Sequence, residues 1–184
     1  DMGYYGSMAY LNTDKSLVDK TIYDKIKNQI LDKAKEIFKK TKSDGYYISI
    51  GDKYPWGSNM TVANNAELLI MADYIEPNGE YIQSAREHLH YLLGRNPMAI
   101  SYVTGYGTVS PVNTHHRPSV ALKKTMPGML VGGPDSSLED PFAAKVLAGQ
   151  PAAKCYADNS QSYSTNEITI YWNSPLIVMM SELK

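Results

Sequence analysis

Two carboxylates, Asp158 and Glu167, stand nine residues apart in the polar run DNSQSYSTNE, with Tyr163 between them. Two carboxyl groups that converge on one cavity can split a glycosidic bond. One protonates the leaving oxygen and the other acts across the scissile bond. The same residues have a purely architectural use: Asp158 would cap a turn, and Glu167 would open a helix as a first-turn acid favoured by the dipole. A second cluster, His115-His116-Arg117, follows Gly105-Tyr106-Gly107 in a stretch without helical period. A guanidinium fork and imidazoles together can hold an anion or a row of hydroxyls; the alternative is a surface loop with incidental charges.

Other chemistries find little support. His88 and His90 are two apart on an expected helix and so face different ways. His115 and His116 are adjacent, and neither an H-E-x-x-H motif nor a cysteine pair occurs, which speaks against a catalytic zinc. There is no G-x-S-x-G and no phosphate-binding G-x-x-x-x-G-K-[ST]. Asn59-Met60-Thr61 is a glycosylation sequon by pattern alone.

The elements that must position these groups are mostly helical. Ile22, Ile26, Ile30, Ala34 and Ile37 recur at helical spacing and predict a helix over 14–42, opened by a weak capping box at Ser16 and Asp19. Residues 46–50 read as extended, followed by a loop, GDKYPWGSN. Helices are expected over 61–75 and 80–93, separated by the turn Pro77-Asn78-Gly79. From 95 to 134 the period vanishes. A stretch this long without elements inside a domain points to function or disorder, and its Tyr, Val and His content speaks against disorder. A short helix is expected over 138–147. A terminal one is expected over 168–183, starting or bending at Ser174-Pro175.

The chain has 184 residues, 18 Lys+Arg and 19 Asp+Glu, a balance that argues against a nucleic-acid partner. No apolar run reaches the roughly 18 residues of a membrane span, so no membrane partner is expected. The single Cys155 cannot form an internal disulfide. The opening DMGYYGSMAYL has neither a basic start nor an apolar core, and is read as a mature or cut end. With 15 Tyr and 2 Trp against 2 Phe, the aromatics suit wet surfaces and clefts more than a dry core, and sugar rings want that mixture of flat face and polar handle.

Three blocks carry a family resemblance. YADNSQSYSTNEITIYWNS (156–174) places an aromatic, Asp158, Tyr163, Glu167, Thr169 and Asn173-Ser174 as in the second signature of glycoside hydrolase family 9, the inverting cellulases. SYVTGYGTVSPVNTHHR (101–117) is similar to the first signature, departing from it at Val109 and Thr114. YPWGSN and LHYLLGRNPM resemble the family as well, and PGMLVGGPDSS (127–137) supports them. The likeness covers the chain from end to end, as the C-terminal part (1–184) of a family catalytic domain.

That resemblance implies an all-α fold: the C-terminal portion of an (α/α)6 barrel, six inner and six outer helices, with long active-site loops around an open cleft. Glu167 would be the general acid, holding its proton with the help of burial or a neighbouring carboxylate. Asp158 would orient the site. His115, with Arg117 and His116 beside it, would hydrogen-bond sugar hydroxyls near the cleavage point. Trp56 would be a stacking platform, with Tyr163 and Trp172 as weaker candidates, since Trp172 also suits a core.

The family's catalytic base lies in an Asp-Ala-Gly-Asp motif that this sequence lacks; Asp1 and Asp140 are substitutes with nothing in their context to favour them. The expected activity is therefore endo-β-1,4-glucanase (cellulase) action on cellulose or cello-oligosaccharides, lost in this chain alone and restored by a second polypeptide, the N-terminal half of the same domain. No cofactor is needed for the chemistry, and structural calcium stays open because oxygen-rich loops occur. Secretion is expected from the insoluble polymer. The rival readings are a non-catalytic glucan-binding module using Trp56 and the tyrosines, and a helical interaction protein with a decayed site.

Overall fold

Asp19, not Ser16, opens the first long helix. The computed structural model describes residues 2–183, the Met2 side chain excepted. The helices are α1 (Met2–Leu11), α2 (Lys20–Ser43), α3 (Ser58–Ile75), α4 (Glu80–Leu92), α5 (Arg117–Leu122), α6 (Pro141–Val146), α7 (Tyr163–Asn166) and α8 (Ile170–Glu182), with a 3-10 turn at Ala152–Lys154. Among the described residues no strand forms; two isolated bridges, Val103 to Leu130 and His115 to Glu167, are the extended pairings.

Local chemistry sets these bounds. The Asp19 carboxylate accepts from the Ile22 N–H at 3.0 Å and caps α2. Residues 14–16 instead form a turn in which Asp14 accepts from both the N–H and the hydroxyl of Ser16. Helix α1 was not expected, because its glycines and all-round apolar character show no amphipathic stripe. The extended reading of 46–50 is also corrected: Asp44 accepts from Tyr46 and Ile48 N–H groups and winds the segment into a turn, with Tyr47 at φ +57°. The α3–α4 hairpin is held by Asp73, which accepts from Asn78 and Gly79, and by Asn78, which accepts from Glu80 and Tyr81.

Helix α8 begins at Ile170 behind an N-cap, Thr169, and continues past Pro175. The expected start or bend at 174–175 is thus not where the helix begins. A proline in the second turn sacrifices one hydrogen bond, while Pro175, Leu176 and Met179 gain burial.

The hub is α3, which packs against α2, α4 and α8. Its Ala63, Ala66 and Ala72 are fully buried, and small side chains let neighbours approach. Asn59 is buried too and donates to the Val131 carbonyl at 3.0 Å, so the sequon reading falls away. Gly57 caps α3 at φ +77°, and an added Cβ there would lie 3.1 Å from the Trp172 ring. Trp172 is 4% exposed and belongs to the interior.

The tyrosines divide. Tyr91, Tyr102 and Tyr156 are buried and stack in a row, with ring centroids 6.1 and 5.3 Å apart. Burial drives the phenol of each above its ordinary pKa. The expectation that tyrosine marks wet surface therefore holds for only some of them: inside, the ring supplies apolar area.

His88 is wholly buried, its Nδ1 2.8 Å from the Ser84 carbonyl and its Nε2 2.9 Å from the Ser49 hydroxyl. Asn65 donates to the same hydroxyl at 2.8 Å. Burial depresses the imidazole to about 4, so it is neutral, with Nδ1–H donating and Nε2 accepting. This relay ties the 46–50 turn to α3 and α4. No described helix is long and apolar enough to cross a membrane.

Candidate active site

The long irregular stretch folds back on the polar segment before α8 through main-chain bonds. His115 N–H donates to the Asn166 carbonyl at 2.9 Å, Gly132 N–H to the Glu167 carbonyl at 3.0 Å, and Gly133 N–H to the Thr165 carbonyl at 2.8 Å. Residues 165–167 thus lie clamped between two loops. Gly133 makes the clamp possible: φ is +89°, and a Cβ there would fall 2.4 Å from the Asn59 side chain.

Glu167 therefore does not open a helix. It follows α7 in extended backbone, φ −69° and ψ 153°, and forms a parallel bridge with His115. Its carboxylate is half-buried and takes no hydrogen bond or ion pair from a described residue. It is free to meet a ligand.

Asp158, by contrast, is saturated. Oδ2 accepts from Val112 N–H at 2.8 Å, and Oδ1 accepts from Asn113 N–H at 2.8 Å and Asn166 Nδ2 at 2.9 Å. The turn-capping alternative fails, because these partners lie on another loop. A carboxylate so occupied holds structure; it has little left with which to activate water.

Asn166 was missed by sequence reasoning. It is fully buried, donates to the Asn113 carbonyl as well as to Asp158, and accepts from the Tyr156 hydroxyl at 2.6 Å. Its place directly before Glu167 was the only available signal.

The His115 Nδ1 sits 2.6 Å from the Ser160 carbonyl oxygen. A carbonyl only accepts, so Nδ1 carries hydrogen and a neutral ring keeps Nε2 as an acceptor. His116 bonds the Ser119 hydroxyl through Nδ1 at 2.9 Å. Arg117 opens α5, is exposed, and has no hydrogen bond or ion pair to a described residue. Trp56, 38% exposed, lies 5.4 Å from the Tyr163 ring, and Tyr163 lies 6.0 Å from the His115 ring. Three flat groups run in a row beside the free carboxylate's segment.

Of the suggested substitutes for a base, Asp1 lies outside the described residues. Asp140 is excluded by its surroundings. It is buried as the N-cap of α6 and accepts from Ala143 N–H, Ser162 Oγ, and Ser164 N–H and Oγ. Burial disfavours its charge, but those hydrogen bonds outweigh it and hold the carboxyl below the usual range. Among the described residues no three His, Cys, Asp or Glu side chains gather in a metal-binding group.

Comparisons with known proteins agree on one family. The profile described as glycosyl hydrolase family 9 matches residues 4–180. A cellodextrinase of Butyrivibrio fibrisolvens is 39% identical over 159 residues, covering 84% of this chain and 29% of that protein. Endoglucanase D of Acetivibrio thermocellus is 34% identical over 96% of this chain and 26% of its own length. A single mutant of the thermostable endoglucanase from Alicyclobacillus acidocaldarius superposes with a TM-score of 0.93 at 37% identity, over 100% of this chain and 35% of that one. AaCel9A in complex with cellobiose-like isofagomine superposes with a TM-score of 0.92, also at 37% identity and over 100% of this chain and 35% of that one. The helical fold expected from the sequence is thus shown, and the chain spans about a third or less of the length of these relatives.

Proposed function

The chain belongs to glycosyl hydrolase family 9, and from that premise we propose that it supplies the acid side of the active site of a β-1,4-glucanase that inverts configuration. Glu167 gives its proton to the glycosidic oxygen as the bond to the anomeric carbon breaks. Inversion also needs a base on the opposite face of the sugar, roughly 6.5–9.5 Å from the acid, with a water between them. Neither Asp158 nor Asp140 suits that role, since both are held by hydrogen bonds within the chain. The base would come from the rest of the family domain, as part of the same or a second polypeptide.

The other groups handle the sugar. Trp56 and Tyr163 offer flat faces to pyranose rings. The His115 Nε2 and the unpaired Arg117 guanidinium offer an acceptor and donors to hydroxyls flanking the cleavage point. His116, tied to Ser119, shapes the loop between them. Asp158 acts through the loop that it fixes and is a positioning residue. Acting on an insoluble glucan, such an enzyme would work outside the cell.

The observation that carries this reading is the main-chain bridge between His115 and Glu167, which joins the segment of a free carboxylate to that of an oriented imidazole. The test is Glu167→Gln in a polypeptide completed with the remainder of the domain, assayed by reducing ends released from carboxymethyl-cellulose. Turnover should fall at least a thousandfold (about 4 kcal/mol) while cello-oligosaccharide affinity changes little. Wild-type turnover in that variant would remove Glu167 from the role of acid. The aromatic row also favours a second reading, a glucan-binding module. Its mark is sugar binding with no hydrolysis in the completed protein.

A further inference from the structure

The loop that mounts His115 also walls a second, polar pocket. It holds about 280 Å³ and is lined by Asn113, Thr114, Lys123, Lys124 and Ser160 among others. That volume lies at the small end of the roughly 300–1,000 Å³ of small-molecule sites, which suits a single sugar unit or substituent. The pocket borders the candidate site. Asn113 and Thr114 directly precede His115, and the Ser160 carbonyl accepts from His115 Nδ1 at 2.6 Å.

The lining has a charge preference. Neither the Lys123 nor the Lys124 ammonium has a hydrogen bond or ion pair with a described residue. No carboxylate occurs among the described residues of the lining. Asp158 touches the same loop, but its oxygens are taken by N–H groups of Val112, Asn113 and Asn166. Lys123 caps α5 in the left-handed region, φ +50°, where glycine is the easier residue.

Thr114 gives the second, independent sign of a ligand. It is 1% exposed, yet its hydroxyl has no hydrogen-bond partner among the described residues. A buried hydroxyl left unpaired costs stability, and a polar ligand atom would satisfy it. A lysine at a helix C-terminus complements the dipole, but the dipole gives no use to that hydroxyl.

We propose that this pocket is a subsite for an acidic sugar: the carboxylate of a uronate substituent or of an aldonate chain end sits between Lys123 and Lys124, and a sugar oxygen meets the Thr114 hydroxyl. A sugar carboxylate is ionised at neutral pH and suits two compact ammonium charges. The proposal rests on the glucanase reading for the strand that delivers the sugar, and it narrows the substrate to glucans that carry negative charge near the cleavage point.

The experiment uses the completed protein, this chain together with the remainder of its domain, carrying Glu167→Gln so that ligands persist. Calorimetric titration compares cellopentaose with its aldonate-ended form and with a cello-oligosaccharide of equal length oxidised at C6 to uronate. At low salt at least one of the two acids should bind about five- to tenfold tighter than the neutral sugar, and the gain should shrink in about 0.5 M NaCl. The acid that gains identifies the source of the carboxylate. Lys123→Ala with Lys124→Ala should remove the gain and leave cellopentaose affinity unchanged. Thr114→Val should weaken binding of that acid about threefold while the Tm holds or rises, since the fold loses an unpaired buried hydroxyl. Equal affinity for all three sugars, or a gain that survives the double lysine variant, overturns the proposal. So does inorganic phosphate binding that needs both lysines while neither acid gains, since the pocket would then serve a free anion. Acid preference in a protein whose Glu167 parent hydrolyses no glucan upholds the pocket and rejects the glucanase reading, and hydrolysis without preference does the reverse.

Discussion

The Asp158 carboxylate grips Asn113, accepting from its main-chain N–H at 2.8 Å, and so joins the loop that carries His115 to the segment that carries Glu167. Neighbouring Val112 is held in the same way. Two pieces of chain 45 residues apart thereby share one anion as their fastener.

Replacing that anion should loosen both sides. Asp158→Asn keeps the shape but loses charge-assisted bonds, each worth about 1.5–3 kcal/mol. Urea unfolding of the 184-residue chain should show a loss within that range. In a completed domain the turnover should fall about 10–100-fold, or about 1.4–2.7 kcal/mol in the barrier. An unchanged urea midpoint would mean that something else holds the loop.

His88 makes stability depend on pH. Its ordinary value of 6.5 drops to about 4 in the folded chain, because burial penalises the cation. The unfolded chain therefore binds more protons between those values, so stability is complete above about 6.5 and drains away as pH falls toward 4. The full effect is about 3 kcal/mol. Urea midpoints measured between pH 7.5 and 4.5 should fall, and His88→Gln should flatten that dependence. Parallel curves for the two proteins would contradict it.

Gly133 should not tolerate a methyl group. Gly133→Ala combines a φ of +89° with a Cβ 2.4 Å from Asn59 Cγ, so a loss of about 2–4 kcal/mol is expected. Adding Asn59→Ala removes the clash but not the backbone strain. The double variant should therefore recover part of the loss relative to the sum of the single ones. Strict additivity in thermal melts would show that the two groups do not meet.

Trp56→Ala should weaken cello-oligosaccharide binding about tenfold, or about 1.4 kcal/mol, and leave the Tm within a degree or two. The ring is partly exposed and packs on Tyr163, so its loss costs contact with ligand more than interior packing. Calorimetric titration with cellotetraose measures this, and unaltered affinity would place the platform elsewhere.

As candidates, Glu167, Asp158, His115 and Arg117 could be picked out by type and spacing, whereas Trp56 came only with the family resemblance. The α3–α4 hairpin was legible from its turn residues and apolar stripes. Helix α1 was not, since a helix apolar all round leaves no period to read. Helix α2 was begun too early because Ser16 resembles a cap, while the bond that decides the matter comes from Asp19. Tyr91 and Tyr102 were misjudged because composition cannot tell a buried phenol from a wet one. Asn166 was invisible for a related reason: its partners, Tyr156, Asp158 and Asn113, converge only in three dimensions.

The glycine that opens α3 has the indole of Trp172 pressed into the space where its side chain would be, and Trp56 is the residue just before it. The height of the proposed sugar platform is therefore inherited from α8, far along the chain. Evolution could retune the fit of a glucan by reshaping position 172, without altering any residue that a carbohydrate touches.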